Sequence, residues 1–139
     1  MPWGRIALAV LASAIVSSLT DWLFLGDWLY KGHDRHPEIW RYPGGQGESR
    51  AILWSSVLPF LTCGVFVFVC ASLRIYSYLG TFKLAAAIWL IGPLPLTIVN
   101  ALWIKLTPAI AMAHALGWLV KLSLAALAVA IILRLGDTL

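Results

Sequence analysis

Four long apolar runs constrain this 139-residue chain more than any other feature. A helix rises about 1.5 Å per residue, so about 20 residues cross a hydrocarbon core about 30 Å thick. Each run is long enough for one crossing. The sequence therefore predicts an all-α protein, an integral membrane four-transmembrane-helix bundle, as a single domain over 1–139. The predicted spans are about 6–28, 51–73, 82–104 and 108–135, with a polar loop at 31–50.

The composition agrees with a membrane protein and argues against a soluble one. The chain is 61% hydrophobic and 12% charged, whereas soluble proteins are roughly 45–50% apolar and about 25% charged. The net charge of +4 comes from basic residues near the ends of the apolar runs, where membrane proteins usually keep them. No basic stripe with interleaved aromatic residues is present, so we exclude nucleic acid as a partner.

An even number of spans puts both chain ends on one side of the membrane, here called side A, and loop 31–50 on the opposite side B. Basic residues favour the cytoplasm, and the residues that flank the first span favour a cytoplasmic loop 31–50. The two sides are nearly balanced, which is also the pattern of a protein that inserts in both orientations. Side A carries Arg5, Arg74, Lys83 and Arg134, and side B carries Lys31, Arg35, Arg41, Arg50 and Lys105.

Local signals mark two of the predicted helices. Thr107 and Pro108 have the pattern of an N-cap and a first helical residue, and Gly136 suits a C-terminal cap. In the third run, Pro93 and Pro95 of "IGPLPL" each remove a backbone donor and predict a helix break. Such a break either lines a wet path, as in transporters, or is a packing kink.

Polar residues inside the spans are the candidate site. An ionisable residue within a membrane span is a functional-site hypothesis by default. Counted from the predicted span ends, Asp21, Asn100 and His114 lie in one layer near side B, with Lys121 deeper. We expect Asp21 and His114 to exchange protons or bind a cation as a small solute or ion passes. The alternative is an accessory subunit in which these groups only hold helices together.

Small and polar residues share one face on the first and fourth runs. Ala9, Ser13, Ser17 and Asp21 recur every four residues in the first run. Such faces favour close helix contact, so we expect them to point inward and Lys121 to have an internal partner. On the fourth run the face comprises Ala111, His114, Gly117, Trp118, Lys121, Ala125 and Ala128.

The loop sequence "GHDRHPEIWR" is the other concentration of polar groups. Two histidines and nearby carboxylates are able to hold a divalent metal, which makes a metal-binding membrane protein or membrane enzyme a third hypothesis. Pro37 argues against the helix that would align the histidines. We interpret the loop as a solvated lid over side B and predict no other cofactor. The residues concerned are His33, Asp34, His36 and Glu38.

No motif indicates a named enzyme. There is no nucleophile elbow, and "PGGQG" lacks the Lys-Ser or Lys-Thr that completes a phosphate-binding loop. Cys63 and Cys70 are seven residues apart in one run, about 10 Å along a helix, too far for a disulfide. The expected partners are the lipid bilayer and either further copies of the chain or a larger membrane protein.

The first half also carries a resemblance. The segment "SLTDWLFLGDWLY", followed by "HPEIWR" and a second span, resembles small four-helix bacterial membrane proteins grouped as a domain of unknown function. The resemblance covers about the first seventy residues and implies a bacterial inner-membrane protein without an assigned activity. The chain does not resemble the small multidrug transporters, because its only glutamates, Glu38 and Glu48, lie outside the predicted spans.

Overall fold

The chain folds into a bundle of α-helices in a computed structural model that describes residues 2–24, 38, 41 and 47–137. Over these residues there is no strand, so the predicted all-α four-helix bundle is confirmed. The elements are α1 (Trp3–Asp21), α2 (Glu48–Ser72), α3 (Tyr78–Ile91), α4 (Pro93–Trp103), α5 (Pro108–Ala128), a π-helical segment (Val129–Leu133) and α6 (Arg134–Asp137).

Four helical stretches are long and apolar enough to cross a membrane: Trp3–Phe24, Glu48–Ser72, Tyr78–Trp103 and Pro108–Leu133. The third starts earlier than predicted, because the Ser77 side chain accepts a hydrogen bond from the Gly80 N–H and caps it. The predicted start of the fourth is confirmed, since Thr107 caps α5 and Pro108 opens it.

The expected helix end at Gly136 was wrong. The fourth span ends in the π-helical segment Val129–Leu133, and the helix continues as α6 to Asp137, the last described residue. Gly136 therefore lies within a helix. A glycine permits the left-handed backbone of a helix cap but does not require it, and here Gly136 is a helical residue.

The core of the bundle is built around α5, which packs against α1, α2, α3 and α4. In the fourth span, Pro108–Leu133, half of the most apolar stretch is buried, whereas in the third span only 6% is buried, so the third span is peripheral. Small residues such as Ala125 and Ala126 are buried at the centre, which lets helix backbones approach closely. Cys63 and Cys70 are buried free thiols.

The third span is broken in the middle of its length. α3 ends at Ile91 and α4 begins at Pro93, with Gly92 between them. Pro93 and Pro95 have no N–H to donate to the carbonyls one turn earlier, so the ladder is interrupted. Beside the break, the Trp89 indole Nε1 donates to the Ala115 carbonyl at 2.7 Å and holds α3 against α5.

Candidate functional site

A contact between opposite charges joins α1 to α5 inside the bundle. The Lys121 ammonium Nζ lies 2.7 Å from Oδ2 of Asp21, and the two side chains are 9% and 14% exposed. Lys121 lies near the middle of the fourth span, Pro108–Leu133. The internal partner expected for Lys121 is therefore Asp21, the last residue of α1.

The inward faces of the two helices explain why these side chains meet. Ala9, Ser13 and Ser17 are all buried, and they precede Asp21 at intervals of four, so α1 turns one small-residue stripe toward its neighbours. On α5, Gly117, Lys121 and Ala125 are buried. The predicted inward orientation of both faces is confirmed, and the short side chains leave room for the ion pair between the helices.

An aromatic ring lies beside the ion pair, and a thiol contacts α1 one turn away. The Lys121 ammonium also lies 4.8 Å from the centre of the Trp118 ring, within cation–π range. One turn from Asp21 on α1, the Ser17 hydroxyl lies 3.6 Å from the Cys63 sulfur on α2. The ammonium thus lies near both a carboxylate and an aromatic ring, and the contact between Ser17 and Cys63 joins α1 to α2 one turn away.

The Ser18 hydroxyl stands out among the polar groups of α1. Its oxygen is buried and has no hydrogen-bond partner among the described residues. The neighbouring hydroxyls are satisfied, since Ser13 donates to the Ala9 carbonyl and Thr20 to the Ser17 carbonyl. Buried polar atoms are nearly always bonded to protein or water. Ser18 lies three residues before Asp21 and therefore on the same side of the helix.

The backbone changes character directly after Asp21. Residues 22–24 continue α1 as a π-helical turn, and the Trp22 N–H is shared between the Leu19 and Ser18 carbonyls. Such turns widen a helix and often occur at functional sites. The Asp21 carboxylate therefore lies where the regular α-helical ladder of the first span ends.

The residues that were expected to share one polar layer lie at different depths in the structure. A Cβ added at Gly117 would lie 3.9 Å from the Phe24 Cβ, so these two residues are neighbours on antiparallel helices. Asp21 is accordingly level with Lys121. His114 is seven residues earlier on α5, about 10 Å nearer to side B at 1.5 Å per residue. It is half-buried on the same face of α5 as Lys121.

Asn100 lies farther from the ion pair. It is half-buried on α4, eleven residues after Trp89, whose indole contacts the backbone of Ala115. Asn100 therefore lies beyond the break, in the part of the third span nearer to side B. Asp21 and Lys121 form one polar level, while His114 lies nearer to side B and Asn100 lies on the side-B part of the third span.

The histidine-rich loop contributes little to the described structure. His33, Asp34 and His36 lie outside the described residues, and Glu38 is exposed. Within residues 2–24, 38, 41 and 47–137, no group of three or more His, Cys, Asp or Glu side chains is arranged to hold a metal ion. The loop as a lid or metal site stays a prediction.

Comparison with known proteins adds no relative. No protein-family model, curated protein or solved structure matches the chain. The resemblance to small four-helix bacterial membrane proteins stays a prediction from the residues of the first half.

Proposed function

We propose that this protein passes protons across the membrane and that Asp21 and Lys121 form the exchange site. The supporting observation is the 2.7 Å contact between carboxylate and ammonium near the middle of the fourth span. Ionisable groups at that depth are costly, and they mark ion pathways and proton relays. Stability alone does not account for the pair, because apolar residues of similar volume often replace a buried ion pair without loss.

A proton fits this site better than a metal cation does. The position in which a cation would bind the Asp21 carboxylate is already filled by the Lys121 ammonium. Transfer of one proton from Nζ to Oδ2 converts the ion pair into a neutral amine and a neutral carboxylic acid. The transfer moves no heavy atom, and the neutral pair no longer carries the cost of desolvated charge.

Polar groups on either side of the pair supply steps toward the two membrane surfaces. Toward side A, the hydroxyls of Ser18 and Ser17 follow Asp21 along α1. Toward side B, His114 lies on the same face of α5 about 10 Å away. A histidine is suited to carry a proton near physiological pH. In this proposal Asn100 lies near the mouth of the path, and loop 31–50 covers it.

We infer further that the protein resides in a bacterial inner membrane and forms oligomers. Support for the first point comes from the four spans and the resemblance of the first seventy residues. The third span supports the formation of oligomers, because only 6% of its most apolar stretch is buried. Several of its large apolar side chains face outward, including Ile91 and Trp103 at 81% and 84% exposure.

Proton flux in liposomes tests the proposal. Purified protein is reconstituted with a pH-sensitive dye inside the vesicles, and a potassium diffusion potential is imposed. We expect wild-type vesicles to acidify faster than protein-free ones. The double variant Asp21→Asn, Lys121→Gln removes both charges together, so neither is left unpaired, and flux should fall at least about tenfold. Lys105→Gln, an exposed residue on side B, is the matched control.

Two results would overturn the proposal. Wild-type vesicles that acidify no faster than empty ones would show that the protein does not pass protons under this driving force. A double variant that conducts like the wild type would show that the pair only joins α1 to α5. The second result, with co-purification of a larger membrane protein, would favour the accessory-subunit alternative.

A further inference from the structure

A cavity of about 840 Å³ opens at side A, away from the ion pair. It lies between the end of α2, the first turns of α3 and the start of α6. Three basic residues, Arg74, Lys83 and Arg134, line it together with the apolar side chains of Ile75 and Leu84. The cavity therefore combines a cluster of positive charge with an apolar wall.

The three cations reach the cavity from three separate elements. Arg74 follows α2 directly, Lys83 lies in the second turn of α3, and Arg134 begins α6. The Arg134 guanidinium lies 5.6 Å from the centre of the Tyr78 ring, which restricts its position. Each residue lies near the end of a span, so the cluster is at the depth of lipid headgroups.

Arg74 occupies a backbone position that normally belongs to glycine. Its φ is 54°, in the left-handed region. The Arg74 N–H donates to the Ala71 carbonyl and the Ile75 N–H to the Cys70 carbonyl. This pair of hydrogen bonds is the Schellman motif, in which glycine avoids a steric cost of about 1–2 kcal/mol. An arginine at this position accepts that cost, which indicates a use for its side chain in the cavity.

The charge balance at this end of the bundle is positive. Asp137, three residues after Arg134, is the acidic residue nearest to the three cations along the described chain. Even with its full charge counted, the cluster keeps two net positive charges. A ligand with a phosphate group would therefore be attracted, and arginine is well suited to bind its oxygens in pairs.

We propose that this cavity binds the headgroup of an anionic phospholipid, with the phosphate between Arg74, Lys83 and Arg134. The apolar wall favours a lipid over a free phosphate, because Ile75 and Leu84 are able to contact the glycerol and upper acyl chain. Basic pockets between membrane helices bind lipid headgroups in the same manner. The inference does not depend on proton transfer at Asp21 and Lys121.

Native mass spectrometry of the detergent-purified protein tests this assignment. Phosphatidylglycerol and phosphatidylcholine of identical acyl chains are titrated separately, and the bound lipid is counted. We expect phosphatidylglycerol to bind more tightly. Arg74→Gly keeps the backbone conformation and removes one charge, so affinity should fall about tenfold, without a decrease in folding stability. Arg5→Gln, a basic residue on the same side that does not line the cavity, should leave affinity unchanged.

Three results would contradict the assignment. Equal binding of the two lipids would show that the cavity does not select charge. An equal loss in Arg5→Gln and Arg74→Gly would show that binding depends only on the overall charge of side A. Full displacement of phosphatidylglycerol by millimolar inorganic phosphate would identify a site for soluble anions. The lipid site is supported if the wild type and Arg5→Gln prefer phosphatidylglycerol and only Arg74→Gly loses this preference.

Discussion

Asp21 and Lys121 are separated by most of the chain, yet their charged atoms lie 2.7 Å apart. The contact joins the end of α1 to the middle of α5, the helix around which the bundle is packed. It therefore fixes the relative depth of two spans as well as forming the candidate site. Because both side chains are largely buried, the loss of either partner has different consequences from the loss of both.

Removal of one charge should destabilise the protein, whereas removal of both should not. Asp21→Asn leaves the Lys121 ammonium buried without its carboxylate. Lys121→Met leaves the Asp21 carboxylate buried without its ammonium. Each should lower the free energy of unfolding by about 3–5 kcal/mol, and the double variant should recover most of that loss. Chemical unfolding in detergent micelles, followed by circular dichroism, measures these differences.

The same experiment contains its own control. Lys105→Met removes an exposed charge and should change the unfolding free energy by less than about 0.5 kcal/mol. Single variants as stable as the wild type would mean that the two groups do not form an ion pair in the folded protein. Losses that simply add in the double variant would also contradict the direct contact.

The sequence was sufficient to predict the helices but not their relative depth. The apolar runs, the Thr107 cap and the stripe of Ala9, Ser13 and Ser17 are local patterns, and the structure agrees with them. The sequence indicates the depth of Asp21 only relative to an apparent span end, whereas packing against α5 sets that depth. Asp21 therefore pairs with Lys121 and does not lie level with His114. This depends on tertiary contacts, which the helical periodicity of the sequence cannot predict.

The side-A cavity could not be predicted from the sequence for a similar reason. In the sequence, Arg74, Lys83 and Arg134 are only basic residues at span ends. Their convergence depends on the way in which α6 returns to the turn between α2 and α3. The left-handed backbone at Arg74 had no signal in the sequence, because such positions usually contain glycine or asparagine.

Gly80 is predicted to tolerate no side chain. A Cβ at this position would lie 2.8 Å from the Ser77 hydroxyl oxygen and 2.9 Å from Cγ2 of Ile75. Gly80→Ala should therefore displace the cap of α3 and lower the unfolding free energy by about 1–3 kcal/mol. Gly4→Ala, where nothing lies within 4 Å, should be neutral or stabilising by up to about 1 kcal/mol. Thermal unfolding measures the stability of both variants. Equal changes in stability for Gly80→Ala and Gly4→Ala would contradict the close packing around Gly80.

The Trp89 indole is predicted to hold the broken third span against α5. Trp89→Phe removes the 2.7 Å hydrogen bond to the Ala115 carbonyl and keeps an aromatic ring. The unfolding free energy should fall by about 0.5–1.5 kcal/mol. Trp103→Phe is the matched control, since Trp103 is 84% exposed and should be nearly neutral. Faster hydrogen exchange in α3 of the Trp89 variant alone would locate the effect.

The metal hypothesis for loop 31–50 is open to a direct test. If His33 and His36 bind a divalent metal, the purified protein should contain about one zinc or iron per chain, as in a site with histidine and carboxylate ligands. The double variant His33→Ala, His36→Ala should lose it. His114→Ala should retain it, because His114 lies within the bundle on α5. If elemental analysis finds no metal in the wild type, the metal hypothesis is contradicted and only the prediction of a solvated lid is left.

A variant at Ser18 distinguishes two hypotheses, a proton path along α1 and a dry interface between helices. Its buried hydroxyl has no hydrogen-bond partner among the described residues, so Ser18→Ala should leave the unfolding free energy unchanged or raise it by about 1 kcal/mol. If the hydroxyl is a step beside Asp21, the same variant should slow proton flux in liposomes severalfold. Ser13→Ala is the control, because the Ser13 hydroxyl is already bonded to the Ala9 carbonyl at 2.6 Å. Undiminished flux in Ser18→Ala would exclude this hydroxyl from the path and leave Asp21 and Lys121 to be tested alone.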